Sequence, residues 1–196
     1  MKTNADTGIG LSWLQSIVIF IGGGLLISLG DRAHIEWGIL TQDNTVFFGQ
    51  AWWVVPMFGT VSLTLFYTYR ALRYWFDEPA NPRQSKTVVF NAIFFLLAYA
   101  STGPFAQYGY RLAALLGGLW MIRIVVHRET RATIVLSLLI AVLGPIGETL
   151  VATLGLFQYT QPDLWLVHSW LPAIYLHGGL VVPTVDAYFS NDLTPS

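Results

Sequence analysis

The chain has 196 residues, of which 54% are hydrophobic and 11% charged, with a net charge of −1 and no cysteine. That balance is too apolar for a water-soluble domain, and it lacks the clustered positive charge that nucleic-acid binding requires. The missing cysteines exclude disulfides, thiolate-held metals and thiol nucleophiles.

Each bilayer crossing takes about 20 mostly apolar residues, so this length accommodates about six crossings and no second, soluble domain. The predicted fold is all-α: one polytopic membrane domain over 1–196, with six transmembrane helices. The first is placed at about 11–30. One lysine precedes it and no small-residue cleavage site follows, so it reads as a retained span rather than a signal peptide. The second, about 47–69, runs up to Arg70 and Arg73, and the polar segment Asp77 to Ser85, with Pro79 and Pro82, reads as a loop. The third and fourth, about 87–104 and 107–126, are divided at Gly103-Pro104. The fifth covers about 132–156 and the sixth about 166–188, which leaves a short disordered tail at 190–196. No segment reads as a strand.

With the N-terminus inside, Lys2, Arg70, Arg73, Arg83, Lys86, Arg123, Arg128 and Arg131 fall on the inner side, against Arg32 and Arg111 outside. That bias places both termini in the cytoplasm. Trp37, Trp75, Trp165 and Tyr159 fall near span ends, where amphipathic rings favour the membrane interface.

Small and helix-breaking residues recur inside the apolar runs. Gly22-Gly23-Gly24, Gly117-Gly118 and Gly178-Gly179 permit close helix approach, while Pro56, Pro145, Pro172 and Pro183 free backbone carbonyls. Their bland explanation is tight packing with gentle kinks; the alternative is a ligand cavity bounded by bent helices. Two ionisable residues lie deep: Glu148 at about 15 Å and His177 at about 18 Å, counting 1.5 Å per residue from the outer end. On neighbouring antiparallel helices they would meet near mid-membrane, where a carboxylate must be protonated, paired or wetted. His34, His127 and His168 fall in loops or at span ends and are expected to be solvated. No H-x-x-x-H or E-x-x-H spacing points to a metal, and no cofactor is implied. The basic set Arg70, Arg73, Arg83 and Lys86 is a topology signal that would also attract anionic headgroups.

Two segments carry a more specific signal. Gln50-Ala51-Trp52-Trp53-Val54-Val55-Pro56-Met57-Phe58-Gly59-Thr60 resembles the A-W-W-V-P-P…G-T signature of the Insig (insulin-induced gene) family. Phe157-Gln158-Tyr159-Thr160-Gln161-Pro162-Asp163, continuing through Ser169-Trp170-Leu171-Pro172 to Gly178-Gly179, resembles that family's Y-Q-Y-T-S-P-D…S-W-L-P…G-G segment. Leu112-Ala113-Ala114-Leu115 with Gly118-Leu119-Trp120 is a weaker third match. The resemblance implies six helices around a lipid cavity. It also implies a membrane-protein partner, since animal members bind oxysterols and retain Scap or HMG-CoA reductase in the endoplasmic reticulum. By position, Gln107 and Trp120 match the family's fourth-helix glutamine and tryptophan at the lipid site, and Phe94 matches a third-helix aromatic. The chain departs from the animal pattern at Trp120-Met121-Ile122-Arg123-Ile124, which lacks the acidic residue used to hold Scap. Lipid binding therefore transfers more safely than Scap retention.

The resulting expectation is a non-enzymatic, Insig-like protein that binds a diacylglycerol, sterol or oxysterol among its helices. Trp53, Pro56, Gly59, Phe94, Gln107 and Trp120 would form the site, with Glu148 and His177 as its intramembrane polar groups. A homo-oligomer such as a trimer is expected. The membrane would be the plasma membrane of a prokaryote, the favoured source, or the endoplasmic reticulum of a eukaryote. The competing reading is an intramembrane enzyme acting on a lipid or isoprenoid, with Glu148 and His177 as acid and base. A transporter would be expected to carry inverted repeats, and the sequence has no such internal symmetry.

Overall fold

A computed structural model describes residues 10–79 and 85–191. Lys2, Arg83 and residues 192–196 of the expected tail lie outside the described residues. Helix α1, Trp13–Glu36, starts at a capping box. The Ser12 hydroxyl accepts from the Gln15 amide at 3.2 Å, and the Gln15 side chain accepts from the Ser12 amide at 3.0 Å. The helix outlasts its apolar stretch because its polar residues sort onto two faces. Arg32 and Glu36, four apart, pair on the exposed side. Ser28, Asp31 and His34, three apart, share the buried side.

Two small antiparallel sheets follow, which corrects the expectation of no strands. Strand β1, Leu40–Gln42, pairs with β4, Phe157–Tyr159, setting Leu40 opposite Tyr159. Strands β2, Thr45–Phe47, and β3, Gln50–Ala51, form a hairpin. Its turn residues Phe48 (φ 51°) and Gly49 (φ 73°) both adopt the left-handed conformation that a two-residue hairpin requires. Residues 47–51, expected at the start of the second span, therefore lie in this hairpin.

Helix α2, Val54–Trp75, crosses α1 at backbone contact. A Cβ at Gly24 would lie 2.7 Å from the Val55 carbonyl oxygen, and one at Gly59 the same distance from that of Phe20. No side chain fits this crossing. Pro56 sits in the first turn of α2, where its missing N–H has no intrahelical partner to lose. Helix α3, Ser85–Phe105, absorbs Pro104 in its last turn. The break expected at Gly103-Pro104 comes instead at the 3₁₀ turn Ala106–Tyr108, ahead of α4, Gly109–Val126.

Helix α5, Arg131–Thr153, is capped by Thr130, and its first amides donate to the Glu78 carboxylate, from Arg131 at 2.8 Å and Ala132 at 3.2 Å. The expected sixth span is discontinuous: α6, Leu171–Gly178, and α7, Val181–Asn191, flank Gly179 and Leu180. Pro183 has no N–H to offer the Gly179 carbonyl, and Gly179 itself abuts Ser137 of α5. Ser190 and Asn191, expected in the tail, close α7.

Helix α6 packs against α3, α4 and α5, while α1 packs on α2 and α3. The fully buried Trp170, Tyr99, Leu171 and Ile174 anchor the centre. At the opposite end, Arg70 Nε donates to Asp186 Oδ1 at 2.5 Å and Arg73 Nη1 to Oδ2 at 2.7 Å, tying α2 to α7. These two arginines are thus consumed inside the bundle rather than presented to headgroups. Among the described residues, three segments are long and apolar enough to cross a membrane: Trp13–Glu36, Thr87–Val126 (α3 to α4, 40 residues) and Arg131–Thr153.

Candidate functional site

Helices α1, α2, α3 and α5, with the α6–α7 segment, surround a cavity of about 650 Å³. Its wall extends along α1 from Val18 to Asp31, about 20 Å at 1.5 Å per residue. On α2, Thr60, Thr64 and Thr68 face it, and each hydroxyl donates to the carbonyl four residues back, at 3.0, 2.9 and 2.8 Å. That bonding occupies their protons within the helix. Along the rim, Val61 of α2 is 39% exposed and Leu143 of α5 is 60% exposed, so the cavity opens sideways between these two helices.

The ionisable groups gather at the end closed by Leu40 of β1 and Phe157 of β4. Glu148 of α5 faces the cavity and accepts from the Tyr159 hydroxyl at 2.6 Å and from the Tyr175 hydroxyl. Asp31 of α1 faces the same end, within the electrostatic field of Glu148. Trp53, the residue before α2, contributes its half-buried ring. Among the described residues no basic side chain lines this space.

Of the residues expected at a lipid site, Trp53 and Glu148 line the cavity and the others do not. Pro56 and Gly59 shape the start of α2 and its crossing with α1. Gln107 is exposed in the 3₁₀ turn. Trp120 is buried on α4. Phe94 and His177 belong to a separate network on the far side of α6. There Arg123 stands 4.1 Å over the Phe94 ring, and its Nη1 donates to His177 Nδ1 at 2.8 Å. Its Nη2 donates to Asn91 Oδ1 at 2.5 Å, and His177 Nε2 donates to the Leu116 carbonyl at 3.0 Å.

The expected meeting of Glu148 and His177 does not occur. Tyr175, which binds Glu148, and His177 are two residues apart on α6 and point to opposite sides. Both imidazole nitrogens are engaged elsewhere, so no acid–base pair forms. Arg123, counted at sequence level as an inner-side charge, is a buried member of this network.

Two histidines expected in solvent are also buried. His34 Nε2 donates to Thr102 Oγ1 at 2.8 Å, because that hydroxyl spends its own proton on the Tyr99 carbonyl at 2.6 Å. His168 stacks on Trp170. His127, Trp37, Trp75 and Trp165 are exposed, whereas Tyr159 is buried against Glu148. Asp31, Tyr99, Tyr175 and Asp186 escaped sequence reasoning. The signal that would have found them is the cost of a polar group inside an apolar run, applied beyond Glu148 and His177. The Pro162-Asp163…Ser169-Trp170 segment has a structural role. Asp163 accepts from the Ser169 amide at 2.6 Å and hydroxyl at 2.7 Å, which sets Trp170 into the core.

Long apolar helices around a largely apolar cavity define an integral membrane protein. No family model matches the chain. It is 33% identical over 181 residues to the insulin-induced gene 2 protein of Gallus gallus, covering 88% of this chain and 79% of that protein. It is 28% identical over 198 residues to the insulin-induced gene 1 protein of the same species, covering 94% and 77%. The chain belongs to the insulin-induced gene (Insig) family. Its fold matches the crystal structure of MvINS, an Insig homologue from Mycobacterium vanbaalenii, with a TM-score of 0.78 at 20% identity over 95% of this chain and 98% of that one. A cross-linked MvINS trimer matches equally well.

Proposed function

We propose that this Insig family member holds one amphiphilic lipid, a diacylglycerol, sterol or oxysterol, in the cavity between α2 and α5. One observation carries the reading: about 650 Å³ of largely apolar space with its two carboxyl groups at one end. That volume falls within the range of about 300–1,000 Å³ common to small-molecule sites. A lipid leaving the bilayer for an equally apolar wall gains little from burial alone. Recognition therefore rests on shape and on the few groups at the closed end. Trp53 and Glu148 are assigned to the site, and Gly59 keeps α1 and α2 at the spacing that forms its wall.

In this account the helices make six crossings with both termini cytoplasmic, which sets the carboxylate end toward the outer leaflet. The protein assembles as a small homo-oligomer, in keeping with the trimer of MvINS. A membrane-protein partner follows from the family, and lipid control of it requires unequal affinity for two conformations. Native mass spectrometry of gently extracted protein tests the lipid reading. One lipid mass per protomer is expected, and a protein that stays bare when offered diacylglycerol and sterol contradicts it.

A further inference from the structure

We infer that Asp31 anchors the headgroup of the bound amphiphile and selects headgroups that donate hydrogen bonds, a hydroxyl or a protonated amine, over anionic ones. This rests on the lipid-binding reading above and names the ligand chemistry of that same site. The first support is Asp31 itself. Only 8% exposed, it faces the cavity and makes no hydrogen bond or ion pair with any described residue. A buried carboxyl in that condition is costly until something satisfies it, and the cavity is where a donor can arrive.

The second support is the division of labour at this end. Each Glu148 oxygen already accepts from a tyrosine hydroxyl, whereas neither Asp31 oxygen accepts from any described residue, so Asp31 is the less satisfied of the two acceptors. The third is charge. Among the described residues no arginine or lysine lines the cavity, and Arg32, next in sequence to Asp31, is paired with Glu36. An anionic headgroup brought to this end would meet two carboxyl groups and no counter-charge. A diol or an ammonium would meet acceptors.

The test offers the purified protein in mild detergent three amphiphiles that share an oleyl-type chain: 1-monooleoylglycerol, oleylamine and oleyl phosphate. Uptake is read by native mass spectrometry. The unmodified protein should retain the glycerol and amine forms at least about tenfold better than the phosphate, since a desolvated anion at this end finds no counter-charge. Asp31→Asn should reduce that preference several-fold while still taking up lipid, and Asp31→Leu should release monooleoylglycerol. Equal uptake of all three by the unmodified protein overturns the inference but leaves the cavity reading standing. Uptake of none overturns both. A preference undiminished in Asp31→Asn removes the role from Asp31.

Discussion

Asp186 satisfies two guanidinium groups with one carboxylate, and nothing else on α7 replaces it. Breaking a buried ion pair on one side strands the remaining charge and costs about 3–5 kcal/mol. Asp186→Asn should therefore lower unfolding stability in detergent by about 3 kcal/mol; a loss below about 0.5 kcal/mol would make the pair ornamental. His168, in the loop ahead of α6, gives a pH signature. Burial holds its pKa below the ordinary histidine range, with Asp163 opposing. As pH falls, the unfolded chain takes the proton first, near pH 6.5, so its contribution is complete above about that pH and declines below it. Thermal scans across this window should show His168→Gln losing less stability on the acid side than the unmodified protein; parallel curves would contradict the assignment. At this scale the sequence was a partial guide. Glu148 stood out because it interrupts a long apolar run. Asp31 did not, because Asp31-Arg32 looks like the polar end of a span until the helix faces are known.

The glycines decide how the helices meet, and they do not all act alike. Gly59 is held against the Phe20 carbonyl, so Gly59→Leu should force α1 from α2 and destabilise by about 1–3 kcal/mol. Gly147 lines the cavity, and a Cβ there would meet nothing within 4 Å. Gly147→Leu should thus keep or raise the thermal midpoint, given the helix propensity gain of about 1 kcal/mol, while cutting lipid retention several-fold. If retention is unchanged, the cavity is not where lipid sits. Element positions were readable where an apolar run has polar ends, as for α5, expected at about 132–156 and found at Arg131–Thr153. The β2–β3 hairpin was hidden because Phe47-Phe48 reads as the start of the apolar run into α2. The α6–α7 break was hidden for a similar reason. Gly178-Gly179 signals close packing and chain interruption alike, and only the contact with Ser137 separates the two.

Membrane topology belongs to the whole chain, and the absence of cysteine makes it directly measurable. In intact cells, a single Asp43→Cys in the β1–β2 loop should react with a membrane-impermeant thiol reagent, while Arg128→Cys before α5 should react only after permeabilisation. Labelling of both in intact cells would overturn the proposed orientation. The family was legible in two short segments, whereas the cavity was not. Its walls come from helices distant in sequence, and its polar end combines α1, α5, α6 and β4. The most direct test is an experimental density map of the protein in a lipid-bilayer disc. The account predicts one elongated molecule between α2 and α5, its polar end against Asp31 and Glu148. A closed interior, with side chains filling that space, would contradict it.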